Sequence, residues 1–415
     1  MLTTKTKASP SFILFWATLS LFFAAFSFSS YSLFLPEFLR EFRWNRSDVA
    51  IPFSLAMIVW GITQPVAGAL ADARGTRPVI LGGILLMALG FIVMSFAQDL
   101  WQIALGFGAL IGIATSACGS ISFGLLISKW FTGARRGSAM GILQAATPAS
   151  PIVLAPVVFL AMTTFGWRFA ALGLGLFLLF VTFPLAYLKI HDPETRTSAA
   201  SASEKRGTWR EVLMVVRRPP MRNLFISRFA CGLSFLLIPV LAVAGMESGL
   251  SQAQGALAVS VYGASSAVGA VAGGLAADHW GRVRTLVATY LVRGIGALAL
   301  GLFVMDALWF YLAVALAAGP IFATVAVNNV QVFEMAGARR AGLILGLGLV
   351  LHQVAAALGP YVSGLIFDWT GTYRISFLGL GVVLLLAVIP ASRTKPEAPN
   401  VQPSLAVPSV GTKLD

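Results

Sequence analysis

Twelve stretches of this chain stay apolar long enough to cross a membrane as helices. They run roughly over 12–35, 48–71, 78–97, 101–128, 138–163, 169–188, 223–246, 252–277, 285–305, 308–333, 342–367 and 374–391. About 20 such residues cover the hydrocarbon core, because a helix rises 1.5 Å per residue. Six runs fall before residue 190 and six after residue 222. The stretch between them, 191–221, is polar and rich in Ser, Arg and Pro, and reads as a linker. The expected organisation is a first bundle over 1–190, a linker over 191–221, a second bundle over 222–392 and a disordered Pro-rich tail over 393–415.

The two sets of six resemble each other in detail. Gly68-Ala-Leu-Ala-Asp72-Ala-Arg74-Gly75-Thr-Arg77 returns as Gly274-Leu-Ala-Ala-Asp278-His-Trp-Gly281-Arg282-Val-Arg284, 206 residues later from Asp to Asp. Ala134-Arg135-Arg136 returns as Ala338-Arg339-Arg340 at an offset of 204. Gly166-Trp167-Arg168 has a looser echo in Thr372-Tyr373-Arg374 at 206. A parallel repeat in an apolar chain predicts an all-α membrane protein of two six-helix bundles.

Composition agrees. Apolar residues make up 58% and charged residues 11%, against about 45–50% and about 25% in soluble domains. The surplus must face lipid. The net charge of +13 suggests nucleic acid until the charges are placed on the twelve-span scheme. Of 29 Lys and Arg, 22 fall in the termini and the loops on their side, five in the opposite loops, and two, Arg228 and Arg293, inside spans. That asymmetry is a topology signal with both termini cytoplasmic, and it removes the support for a nucleic-acid partner. Cys118 and Cys231 lie inside apolar runs, fit no metal or disulfide spacing, and read as small packing residues. Nothing has the spacing of a nucleotide loop, so no ATP site is expected.

The repeated Gly-x-x-x-Asp-x-x-Gly phrase sits in the loops after spans 2 and 8. Its glycines permit tight turns and close helix contact. Its Asp, at a helix end, can pair with a neighbouring Arg or accept from a helix N-terminus. Gly68, Asp72, Gly75 and Arg77, with Gly274, Asp278, Gly281 and Arg282, are therefore the expected conformational latch, holding the bundles together on the cytoplasmic side. The phrase resembles the signature of the major facilitator superfamily, over about 12–391, and the resemblance implies transport by alternating access around a central site. More narrowly, Ile127-Ser-Lys-Trp130-Phe131 with Arg135-Arg136-Gly137, and His352-Gln353 with Gly364-Leu-Ile-Phe-Asp368-Trp-Thr-Gly371, resemble the bacterial monocarboxylate and oxalate/formate carriers. Those carriers have an Arg in span 8. Here Ala270 stands near that place.

Polar residues at mid-membrane depth are the substrate candidates, because burying them needs a partner or a wet cavity. His352 and Gln353 in span 11, Asn328 with Asn329 in span 10, Arg228 near the inner mouth of span 7, Gln64 in span 2 and Tyr31 in span 1 are chosen on that ground. Arg293 in span 9 is expected to lie outside the cavity, as the resemblance implies, and to snorkel to the cytoplasmic surface. No Asp or Glu falls near mid-depth. Basic groups without acids favour an anionic or neutral substrate. The expectation is a secondary carrier of a small organic anion, a monocarboxylate or related acid, coupled to H⁺ or exchanging. It would act as a monomer in the lipid bilayer, without enzymatic activity, cofactor or metal. The alternatives are efflux of a neutral or amphipathic compound, and a membrane sensor on the same fold.

Overall fold

The computed structural model describes residues 9–131, 134–193, 209–302, 306–336 and 338–395. The expected tail from 396 onward and the middle of the linker lie outside these residues. Twelve helices are long and apolar enough to span a membrane: Pro10–Phe42, Arg46–Arg74, Thr76–Ser95, Leu100–Trp130, Ser138–Phe165 and Trp167–Lys189 in the first half, then Pro219–Glu247, Gln252–Trp280, Arg282–Leu302, Ala307–Ala336, Gly342–Thr370 and Arg374–Ser392. They are called spans 1 to 12. The count matches the hydropathy pattern and most edges agree within a few residues; span 1 at its end and span 7 at its start run a turn or more past the apolar stretch. Within the predicted linker, Trp209–Val216 is also helical.

Turn chemistry sets the joints. Gly75, Gly166, Gly281 and Gly371 have φ of +95°, +86°, +83° and +72°. That left-handed backbone costs a glycine little. They fall at equivalent places in the two halves, which is the repeat seen as geometry. The Trp-Arg phrase after span 5 also acquires a role. Arg168 pairs with Glu41 of span 1 and donates to the Ala97 carbonyl just past span 3, at 2.7 Å. Its echo, Arg374, donates to the Gly301 and Leu302 carbonyls ending span 9, at 3.0 and 2.8 Å. Each arginine satisfies helix-end carbonyls that have no intrahelical partner.

The halves meet along spans 2 and 11, 5 and 8, and 1 and 7. Among the described residues, the bonds that join them start at the end away from the termini, here the far end. Asp368 of span 11 accepts from the Arg46 and Ser47 N–H groups that open span 2, at 2.8 and 3.0 Å. Arg46 also pairs with Glu247 of span 7 at 3.3 Å and lies over the Phe367 ring. Gln252 of span 8 donates to Glu37 of span 1 at 3.0 Å. Deeper in, Ser54 donates to the Ala357 carbonyl at 2.7 Å and Ser260 to the Pro151 carbonyl at 3.2 Å. At mid-depth, a Cβ on Gly61 would stand 3.0 Å from Gln353 and one on Gly263 2.7 Å from the Pro148 carbonyl. No hydrogen bond or ion pair among the described residues joins the halves beyond that level, towards the termini. The structure is thus closed at the far end.

Candidate functional site

On the second half, span 7 carries Arg228 nine residues past its start at Pro219, about 14 Å along the axis. That is deeper than the inner mouth expected from sequence, because the helix begins earlier than the apolar run. The side chain is 6% exposed. One terminal nitrogen donates to Asn329 Oδ1 at 2.9 Å, and Nε is buried with no partner. Among the described residues no carboxylate pairs with it. Its carbonyl lies 3.3 Å from His352 Nδ1, and the His352 ring meets Phe235 edge-on. Spans 7 and 11 cross so closely here that a Cβ on Gly232 would lie 2.3 Å from the His352 carbonyl. That crossing brings Arg228 and His352 to one level. Gln353, one residue on, is 1% exposed, and neither amide atom has a partner.

The first half faces this level with hydroxyls and amides. Span 4 breaks at Gly119, whose φ and ψ of −85° and −177° are extended. Ser116 before the break holds Thr63 and accepts from Gln64 Nε2 at 3.5 Å through its carbonyl. Gln64 Oε1 accepts from Trp60 at 3.0 Å. Ser120 after the break meets Thr147 of span 5 at 3.0 Å.

Three expectations need correction. Tyr31 is fully enclosed among Phe38, Phe53 and Phe107, and its hydroxyl donates to the Val49 carbonyl. It is packed inside the first half, with no exposed surface in this structure. Of the asparagine pair, Asn329 reaches Arg228, while Asn328, 1% exposed, lies against the Tyr290 hydroxyl. Consecutive helix residues point about 100° apart, so only one of the two can face the cavity. Arg293 does not snorkel. It is the largest fully enclosed side chain, eleven residues into span 9, and points inward to Cys231, Ser234 and Thr324.

The repeated loop phrase is held in two different ways. Asp72 and Asp278 are exposed, and neither forms an ion pair among the described residues. The first loop is instead gripped by Asp192, just past span 6. It accepts from the Thr76 N–H and hydroxyl, from the Arg77 N–H at 2.9 Å and from Lys129 at 3.4 Å. Burial works against charge on Asp192, but the bonds from Thr76, Arg77 and Lys129 prevail and hold its carboxyl below the usual range. In the second half Arg282 pairs with Glu334 of span 10. An open cleft of about 350 Å³ beside them is lined by Asp278, Gly281, Arg282, Gln331 and Glu334. Sequence reading missed Asp192 and Glu334, because neither lies within the repeated phrase.

Two repeated bundles joined at one end, with polar groups where they diverge, define a membrane carrier. The family model described as Major Facilitator Superfamily matches residues 17–350 and, in an overlapping placement, 224–411. The chain belongs to that superfamily. It is 26% identical over 377 residues to an uncharacterized MFS-type transporter, YcxA, of Bacillus subtilis (strain 168), covering 86% of this chain and 90% of that one. It is 29% identical over 384 residues to human Monocarboxylate transporter 11, covering 86% and 76%. Among solved structures, a bacterial homolog of the human lysosomal transporter Spinster, in an inward-facing and occupied conformation, superposes with a TM-score of 0.74. It is 15% identical and the match covers 94% of this chain and 98% of that one; at that identity the likeness speaks for the fold.

Proposed function

We propose that this transporter carries a small organic monoanion, a monocarboxylate or related acid, by alternating access. The observation that carries the reading is Arg228. It is a buried guanidinium at the level where the halves diverge, with an unpartnered Nε and, among the described residues, no carboxylate paired with it. A guanidinium stays charged in proteins, and a buried charge without a partner is costly. A carboxylate entering from the termini end supplies the missing charge and accepts from Nε. Asn329 holds the guanidinium in place. His352, which meets the Arg228 backbone, and the unpartnered amide of Gln353 are the groups on the second half that would orient the rest of a small solute, with Gln64 and Ser120 offered by the first half.

In this reading the present state is open to the cytoplasm, because the basic loops and both termini lie on that side. Asp72 and Asp278 are free in this state and engage only when the cytoplasmic end closes and the Arg46–Glu247 and Asp368 contacts part. Several relatives bear the name monocarboxylate transporter, which agrees with the charge argument. The test is uptake into proteoliposomes. Labelled lactate or pyruvate should accumulate, and Arg228→Gln should raise the concentration needed for half-maximal uptake on the order of thirty-fold. Uptake of an uncharged amphipathic solute with no carboxylate flux would replace this reading with the efflux alternative. Binding without flux of any solute would favour a sensor.

A further inference from the structure

The far-end seal is built in two tiers of different chemistry. The deep tier uses groups that carry no charge. Ser54 and Ser260 donate to carbonyls of the other half, and Ser32 of span 1 accepts from the Ala242 N–H of span 7 at 3.1 Å. At the rim, each hydrogen bond or ion pair between the halves, among the described residues, ends on a carboxylate. Asp368 accepts from the Arg46 and Ser47 N–H groups and the Ser47 hydroxyl, Glu37 from Gln252, and Glu247 from the Arg46 guanidinium. A proton on a carboxylate removes its charge and turns one acceptor oxygen into a donor. The three are not held alike. Asp368 takes three bonds at the start of a helix, where the helix dipole also favours its charge. Glu37 has Arg40 on its own helix as well as Gln252. Glu247 depends on Arg46 at 3.3 Å and on the Tyr373 N–H that faces it. Its side chain is 27% exposed, so it meets the far-side solution directly. Arg46 has a second place to rest, because its guanidinium already lies 4.6 Å from the Phe367 ring and 5.8 Å from the Tyr373 ring.

We propose that this rim is a pH-sensitive gate with Glu247 as its sensor: a proton from the far-side solution neutralises Glu247, Arg46 stays on Phe367 and Tyr373, and the link between spans 2 and 7 is lost. The proton passes from water to a carboxylate oxygen, and the reverse restores the pair. Acid on that side therefore favours opening of the far end, while the uncharged deep tier is untouched. The rim lies at the far surface whichever end is open. The proton bound there sets the opening equilibrium and is not carried across. The inference does not rest on the organic-anion reading.

The charged and titratable groups around Glu247 are few. Arg46 faces it from span 2, and Asp368 and Tyr373 come from span 11 and the joint after it. Span 1 brings Glu37 and Arg40, which hold each other. Span 8 opens on the neutral Gln252 and Gln254. Asp48 of span 2 and Asp306 before span 10 accept from N–H groups at the start of their own helices. No His or Lys falls at this end of the chain's spans.

The test is a distance measurement on the full chain in nanodiscs. Spin labels go on Gln98→Cys and Ala253→Cys, exposed positions at the far end of the first and second halves. The native Cys118 and Cys231 are buried. Pulsed electron resonance then reads the label separation at about pH 7.5 and at about pH 5, which brackets the upper flank of carboxylate titration. Acid should raise the ratio of long to short separations about five-fold, the worth of one partly exposed ion pair. Glu247→Gln, a neutral amide of the same shape, should show the long separation already at the higher pH and lose most of the response. Arg46→Gln should do the same, since it removes the other partner and leaves the N–H groups that hold Asp368. Glu41→Gln should keep the wild-type response, because Glu41 pairs with Arg168 inside the first half. Asp192 and Glu334 also bond within one half, so their titration does not touch the seal. A wild-type separation that is the same at both pH values overturns the proposal. So does a full acid response in Glu247→Gln, or a far end that Arg46→Gln leaves as closed as the wild type at the higher pH.

Discussion

Replacing Arg228 by glutamine separates a binding role from a packing role, because the two predict opposite signs. The guanidinium is nearly enclosed, holds only Asn329 and leaves Nε unsatisfied. In the empty transporter it is an uncompensated buried charge. A neutral amide of similar reach can still bond Asn329 and removes that charge, so ligand-free Arg228→Gln should melt at the same temperature as wild type or higher. With substrate the effect reverses. A lost charge-assisted hydrogen bond is worth about 1.5–3 kcal/mol, and a loss of about 2 kcal/mol is near thirty-fold in affinity. A ligand at about 100 times its Kd stabilises the wild type by ~2.7 kcal/mol. At the same concentration and thirty-fold weaker affinity, the stabilisation is ~0.9 kcal/mol. Thermal melts in detergent with and without a panel of carboxylates measure both numbers. A variant that melts lower without ligand, yet keeps the full ligand-induced shift, would refute the assignment and make Arg228 a structural brace.

Other outcomes follow from the same geometry. Asp192→Asn should destabilise the first half by about 1 kcal/mol, a figure held low because the carboxyl is partly exposed to solvent. Since the folded carboxyl is held below its unfolded value of about 3.9, that contribution is complete above this pH and disappears as pH falls through the folded value. Melts of the two proteins should therefore converge in acid, and a gap that persists there contradicts the carboxylate grip. Gly232→Ala places a methyl 2.3 Å from the His352 carbonyl and should cost about 1–3 kcal/mol in thermal stability; an unchanged melt would mean the span 7–span 11 crossing is looser than described. Asp368→Ala removes the acceptor at the start of span 2, worth about 0.5–2 kcal/mol, and should loosen the far-end closure. A cysteine placed at the buried Ser54 should then react faster with a thiol reagent added from the far side, and unchanged reactivity would count against the contact as a gate. A cysteine at Ser201, in the linker, should be labelled only from the cytoplasmic side, and labelling in intact cells by an impermeant reagent would invert the topology.

The chain by itself determined the architecture, because the bilayer reduces folding to a one-dimensional problem. Apolar length sets the spans, lysine and arginine placement sets the expected sides, and the 206-residue repeat from Asp72 to Asp278 exposes the two bundles. Those signals are local in sequence. The twelve spans and the glycine joints at Gly75 and Gly281 were legible for that reason. Arg228, His352, Gln353 and Gln64 could be selected from polarity at depth alone, since a polar side chain inside a span needs a partner wherever the helix points. Direction is what polarity could not give. Tyr31 and Arg293 are polar at depth, as Arg228 is, yet one is sealed by phenylalanines and the other turned into its own bundle. Which face of a helix meets the cavity depends on how spans 7, 9, 10 and 11 cross, and that is fixed by close approaches such as Gly232 on His352, between residues 120 positions apart. The same holds for Asp192, which reaches Thr76 and Arg77 across 115 residues or more, and for the meeting of Cys231 with Arg293. Contacts made at such separations leave no periodic trace in the sequence, so only packing in three dimensions decided which way each buried polar side chain points and what it bonds.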